Sequence, residues 1–117
     1  MKTIAVYGSL KKGLGNDWGT RDGNFLGTAL TLGDMYSLGG YPVLMENGTK
    51  EYEIEVYEVS DQMYKQIHNM EIGAGYIAKE INTSRGLATI FYGDTSRYTK
   101  ERLSNLRAVN EWPPLNK

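Results

Sequence analysis

The sequence predicts an α+β domain: a curved or barrel-like, largely antiparallel β-sheet with helices at its edge. Three observations point there. The apolar runs are short and bounded by Gly, Asn, Asp or Ser, one segment alone carries apolar residues at a sustained spacing of three to four, and strands do not alternate with helices as βαβ units would. At 117 residues the chain reads as one domain, residues 1–117, large enough to bury about two-thirds of its unfolded surface. A composition of 40% hydrophobic and 23% charged residues sits near the globular average and argues against a disordered chain, a collagen or a coiled-coil rod.

The elements follow in order. Ile4 to Tyr7 is a short buried strand that Gly8-Ser9 interrupts. Lys11 to Asn24 is glycine-rich without a helical period, so it reads as an irregular loop, and a loop of that length often carries function. Phe25 to Leu38 reads as one or two strands, with Gly27 and Gly33 at bends or bulges. After Gly39-Gly40, Tyr41 to Met45 is a strand, Glu46-Asn47-Gly48 supplies turn chemistry, and Glu51 to Val59 returns, which predicts a hairpin. In the return strand Tyr52, Ile54 and Val56 share one face and Glu51, Glu53 and Glu55 the other, until Tyr57 and Val59 break the pattern and predict a bulge or burial on both sides.

Ser60 suits a helix N-cap, and Met63, Ile67 and Met70 then fall on one helical face, with the end expected near Glu71 because Gly73 and Gly75 follow. Tyr76 to Asn82 and Gly86 to Gly93 form a second hairpin through Thr83, Ser84 and Arg85. Lys100 to Val109 has weak helical character, before Pro113-Pro114 ends regular structure.

Several function classes are excluded early. With 13 Lys+Arg against 14 Asp+Glu and no block of either sign, nothing marks a nucleic-acid groove. Without cysteine there is no disulfide framework, thiolate metal cage or thiol nucleophile. The N-terminal apolar run is too short for a signal peptide or a membrane span, which leads us to expect a cytoplasmic protein with no membrane partner. Gly13-x-Gly15 with Gly19 misplaces the third glycine of a dinucleotide fingerprint, and no helical pattern follows it. His68 is the only histidine, so no histidine cluster holds a metal, and on a helix it is expected at the surface. No metal site is expected.

Glu51, Glu53, Glu55 and Glu58 read as the solvated face and edge of a strand, whereas Glu71 sits at a helix end between apolar Met70 and Ile72. A partly desolvated carboxylate there would have a raised pKa suited to general acid/base work. Val6-Tyr7-Gly8-Ser9-Leu10, Gly40-Tyr41-Pro42-Val43-Leu44, Glu55-Val56-Tyr57-Glu58-Val59 and the Glu71 to Tyr76 segment, in that order over residues 4 to 92, resemble the γ-glutamylcyclotransferase-like superfamily, with its AIG2-like and γ-glutamylamine cyclotransferase branches.

The resemblance implies a small mixed barrel with a cavity. In it the Tyr7-Gly8-Ser9-Leu10 loop would bind the α-carboxylate of a γ-glutamyl substrate, Tyr41, Pro42 and Tyr76 would form walls, and Glu71 would be the catalytic acid/base. The implied reaction is cofactor-independent: the substrate's α-amine attacks its own γ-carbonyl and 5-oxoproline leaves. The chain departs from the family pattern at Ile54, His68 and Ile72, and has Lys79 near a position usually held by arginine. The alternative is a non-catalytic or regulatory module that uses the same cavity to hold a small ligand.

Overall fold

The computed structural model describes residues 1–8, 11 and 19–113; Ser9, Leu10, the Gly13-x-Gly15 stretch and Pro114 lie outside the described residues. It contains β1 (Lys2–Val6), β2 (Asn24–Ser37), β3 (Pro42–Val59), α1 (Asp61–Gly73), β4 (Tyr76–Thr83), β5 (Gly86–Gly93), α2 (Lys100–Ser104) and β6 (Arg107–Val109). The six strands form one sheet in the order β4-β5-β1-β3-β2-β6. All neighbours are antiparallel except β1 and β5, which run parallel through Ile4–Thr89 and Ala5–Ile90, so the sheet is mixed. No helix among the described residues is long and apolar enough to cross a membrane.

The sheet curls into a half-barrel around one apolar cluster that includes Ala5, Ile54, Val56, Leu44, Ile90 and Tyr92. Its outer face carries a second cluster, in which Ile4, Val6, Tyr57, Val59 and Phe91 pack with Ile67 of α1. Where the barrel stays open, Arg85 Nε in the β4–β5 turn donates to the Thr28 carbonyl of β2 at 3.1 Å.

This two-sided burial explains the pattern in β3. Glu51, Glu53, Glu55, Tyr57 and Val59 all lie on the outer face; α1 covers only its far end, so the glutamates meet solvent while Tyr57 and Val59 are buried. The register of β1 against this end, from Lys2–Val59 to Val6–Glu55, has no break.

The expected hairpin turn at Glu46-Asn47-Gly48 does not form. The chain reverses at Leu38–Tyr41, where Leu38 N–H donates to the Tyr41 carbonyl at 2.8 Å and Gly39 takes φ +103°. β2 and β3 are therefore the hairpin, and 46–49 is an insertion in β3: Lys50 pairs with Gly33 while Met45 pairs with Asp34. Gly48 serves close approach rather than reversal, since a Cβ there would collide with the Gly33 carbonyl group.

Two further expectations are corrected. Helix α1 runs on to Gly73 rather than stopping near Glu71, because the breaker is Gly75, at φ +98°, and Gly73 keeps helical geometry. Of Lys100 to Val109, only α2 is helical, capped by Thr99 Oγ1, which accepts from Arg102 N–H at 3.2 Å. Arg107–Val109 instead extends the sheet along the edge of β2, with Val109 buried opposite Met35. Tertiary pairing overrides the weak local helical preference there.

Candidate active site

The recess lies just past the C-terminal end of β1. Ala5 and Val6 enter it from that strand, Tyr7 and Gly8 follow, Tyr41 comes from the turn before β3 and Pro42 from its first position, Phe91 from β5, and Glu71 from the last turn of α1. Its volume is about 40 Å³. At roughly 10–15 Å³ per water centre this is room for about three waters. It suits the head of a small molecule, and Tyr41, 47% exposed, stands at the rim.

Helix α1 carries Glu71 there for reasons visible in its sequence. Ser60 Oγ accepts from Met63 N–H at 3.1 Å and fixes the first turn. Ile67 is fully buried and Met63 and Met70 pack beside it on the outer face of the sheet. Glu71, next to Met70, is thereby turned towards the end of β1. Its carboxylate has no hydrogen-bond or ion-pair partner among the described residues, and burial pushes its pKa from 4.5 up to about 7. The carbonyl end of the helix dipole acts in the same direction. The site thus holds a carboxyl group that exchanges a proton near neutrality.

Gly8 is required by contact, not by backbone conformation. It is not among the glycines with positive φ; a Cβ there would stand 2.9 Å from Pro42 Cδ. This Gly8–Pro42 contact brings the end of β1 against the start of β3 and closes one wall of the recess. The Gly8 carbonyl accepts from Lys11 N–H at 2.9 Å.

The tyrosines divide between rim and frame. Tyr7 is buried, and its hydroxyl donates to the Phe91 carbonyl at 2.5 Å and accepts from Leu44 N–H at 3.2 Å. Tyr76 does not line the recess: it stands behind the wall, donating to the Pro42 carbonyl at 2.7 Å. Burial raises the pKa of both phenols, so they remain neutral donors.

Of the residues expected at the site, the structure therefore gathers Tyr7, Gly8, Tyr41, Pro42 and Glu71 around one recess, sets Tyr76 behind it, and leaves Ser9 and Leu10 outside the described residues. Phe91 and the end of β1 also line the recess; their residue types look like core, and only strand register brings them there. His68 is not a free surface residue: its ring packs 6.2 Å from Phe91 and 5.9 Å from Tyr64. Lys79 pairs with Glu46 at 2.9 Å and does not line the recess. Among the described residues no group of three or more His, Cys, Asp or Glu side chains is placed to hold a metal ion.

Comparison with known proteins agrees with this architecture. PH0828 of Pyrococcus horikoshii, which bears the name gamma-glutamylcyclotransferase by assignment, is 34% identical over 88 residues, 75% of each chain. Its crystal structure superimposes with a TM-score of 0.72 at 32% identity, covering 80% of this chain and 78% of PH0828. The solution structure of ytfP from Escherichia coli gives 0.72 at 24% identity over 98% of this chain and 99% of ytfP. An aig2-like protein from Mus musculus gives 0.70 at 22% over 96% and 88%; these last two show the shared fold alone. The model of the family "Gamma-glutamyl cyclotransferase, AIG2-like" matches residues 4–112, which contain every element that builds the recess, and the chain belongs to that family.

Proposed function

We propose that this protein is a cyclotransferase that releases 5-oxoproline from a γ-glutamyl amine or γ-glutamyl amino acid, with Glu71 as general acid and base. The observation that carries this reading is the carboxyl group of Glu71, half-buried at a recess of about 40 Å³, without a hydrogen-bond or ion-pair partner among the described residues and poised near pH 7. Family membership supports the reaction class.

The chemistry needs one group that works in both directions. The α-ammonium of the substrate gives a proton to the Glu71 carboxylate, and the free amine attacks the γ-carbonyl carbon, forming the ring C–N bond. As the tetrahedral species collapses, the bond to the leaving nitrogen breaks and protonated Glu71 returns the proton to it; the regenerated carboxylate then takes the second proton from the ring nitrogen and passes it to the departing amine, which leaves as ammonium. Atoms and charge balance without water. A carboxyl group with its pKa at the working pH is neither too weak a base for the first step nor too weak an acid for the second. The rest is geometry: a tight recess holds the γ-glutamyl chain folded back, removing much of the entropy of ring closure from the barrier. The leaving group would then extend past Tyr41 at the rim.

A ligand-holding module would gain nothing from Glu71, because a half-buried carboxylate with no counter-charge among the described residues opposes an anionic ligand. The deciding experiment incubates the purified protein with γ-glutamyl amino acids, γ-glutamyl-ε-lysine and glutathione and measures 5-oxoproline. Production from at least one, lost in Glu71→Gln, is expected. Saturable binding of such compounds with no 5-oxoproline from any of them would establish the module instead.

A further inference from the structure

We propose that the Tyr7 hydroxyl is the positioning group of this site, a cross-brace that sets the width of the recess and keeps bulk water away from Glu71. The two strands it joins are not neighbours in the sheet, because β1 lies between β3 and β5. β1 stops at Val6, so past that point no ladder hydrogen bonds hold the flanking strands together. One phenolic oxygen spans the gap, donating to Phe91 O at 2.5 Å on β5 and accepting from Leu44 N–H at 3.2 Å on β3. Both anchors belong to the recess: Phe91 lines it, and Leu44 lies two residues from the lining residue Pro42.

The fold contains its own control. Leu44 is paired across the hairpin with Met35, and the N–H of Met35 also goes to a tyrosine, Tyr52, at 3.0 Å. Tyr52 in turn donates to Val109 O at 3.1 Å on β6. Two buried tyrosines thus make the same kinds of backbone bond, one accepted from an N–H and one donated to a C=O, on either side of one residue pair, but Tyr52 does not line the recess. Removing either hydroxyl orphans one buried N–H and one buried C=O, so both losses should cost similar stability. Only the loss at Tyr7 should reach Glu71.

Among the described residues the titratable groups near Glu71 are the phenols of Tyr7, Tyr76 and Tyr41, with His68 one turn earlier on α1. Burial is what displaces the Glu71 pKa, so admitting water is the direct way to move it.

The test compares wild type, Tyr7→Phe and Tyr52→Phe by ¹³C NMR titration of the Glu71 carboxyl, thermal melting, and kcat and KM for 5-oxoproline release. For Tyr7→Phe the Glu71 midpoint should fall by about one pH unit and kcat by about tenfold or more, with a smaller change in KM. Tyr52→Phe should lose a similar melting temperature and leave both readouts in place. The proposal is overturned if Tyr7→Phe keeps its midpoint and kcat within twofold of wild type, if Tyr52→Phe shifts them equally, or if Tyr7→Phe alone fails to fold, which would make the hydroxyl a strut of the whole fold. The kinetic arm rests on the cyclotransferase reading. The titration needs no turnover and decides the brace even if no γ-glutamyl compound reacts.

Discussion

Replacing Glu71 by glutamine should stabilise this protein at high pH while abolishing its turnover. Glutamine has nearly the same shape but no charge. The Glu71 carboxyl is raised from 4.5 to about 7 by burial. The folded state therefore holds a proton between those pH values that the unfolded chain has released, and stability contributed by this group falls as pH rises through the window. It is undiminished below 4.5, and above 7 the whole penalty is present. A difference of about 2.5 pH units corresponds to on the order of 3 kcal/mol. Burying the glutamine amide has a cost of its own, but that cost does not vary with pH. Urea unfolding of both proteins at pH 4 and at pH 8.5 isolates the pH-dependent part, because every other carboxyl group is common to both. The advantage of Glu71→Gln should be larger by about 3 kcal/mol at pH 8.5 than at pH 4, roughly 10 °C in melting temperature. Its kcat should drop by at least about a hundredfold, since the amide cannot cycle a proton. Parallel stability profiles would mean that the carboxylate is hydrated in the folded protein, and a wild-type kcat in the folded variant would remove Glu71 from the chemistry.

Other perturbations separate the remaining parts of the site and the fold. Gly8→Val places a Cβ 2.9 Å from Pro42 Cδ and should weaken the affinity for 5-oxoproline or a γ-glutamyl analogue by about tenfold or more in calorimetric titration, whereas unchanged affinity in a folded variant would detach the Gly8–Pro42 wall from the ligand. Gly48→Ala should destabilise the protein by about 1–3 kcal/mol in urea unfolding, because the new Cβ meets the Gly33 backbone, and no loss would mean that the β3 insertion packs otherwise. An N-acetylated γ-glutamyl substrate should be inert and the reaction in ¹⁸O-labelled water should give unlabelled 5-oxoproline; labelled glutamate as first product would make the enzyme a hydrolase.

Local features are legible in the sequence, and most long-range ones are hidden. The α1 start at Ser60 and the β4–β5 turn through Thr83-Ser84-Arg85 depend on short-range chemistry, a cap and a tight reversal, and both lie where the pattern places them. Asn47-Gly48 misleads for a physical reason: glycine satisfies a positive-φ turn and a close backbone approach equally well, and only the partner strand shows which applies. Likewise Gly8 looks like a turn residue until Pro42 is seen against it. Phe91 reads as core, and its place in the recess wall follows from a parallel β1–β5 pairing that no local pattern encodes. The Tyr7-Gly8 and Tyr41-Pro42 segments are short and distinctive, but residue type alone does not tell what each side chain does. Tyr7 reads as a ligand-binding residue, and its hydroxyl is committed to the backbone.

The position of the recess follows from the unequal lengths of β1 and β3. β1 has five residues and its neighbour β3 has eighteen, so β1 supports only the far end of β3, through residues 55–59. The near end of β3, starting at Pro42, pairs with β2 alone and leaves its other edge facing β5. A gap must open where β1 ends. In a sheet with one solvated face this gap would fill with water, but here α1 lies over the outer face and Phe91 and Val43 pack beneath it. The gap is therefore covered on that face, with backbone groups on both sides, Leu44 N–H and Phe91 O, that need partners. The first residue beyond β1 is Tyr7, long enough to satisfy both sides at once, and the next is Gly8, small enough for Pro42 to close in. A carboxyl group delivered into such a gap by the last turn of α1 loses part of its hydration without gaining a counter-charge among the described residues. The proton affinity that acid/base chemistry at neutral pH requires thus arises from the same mismatch in strand length that creates the recess.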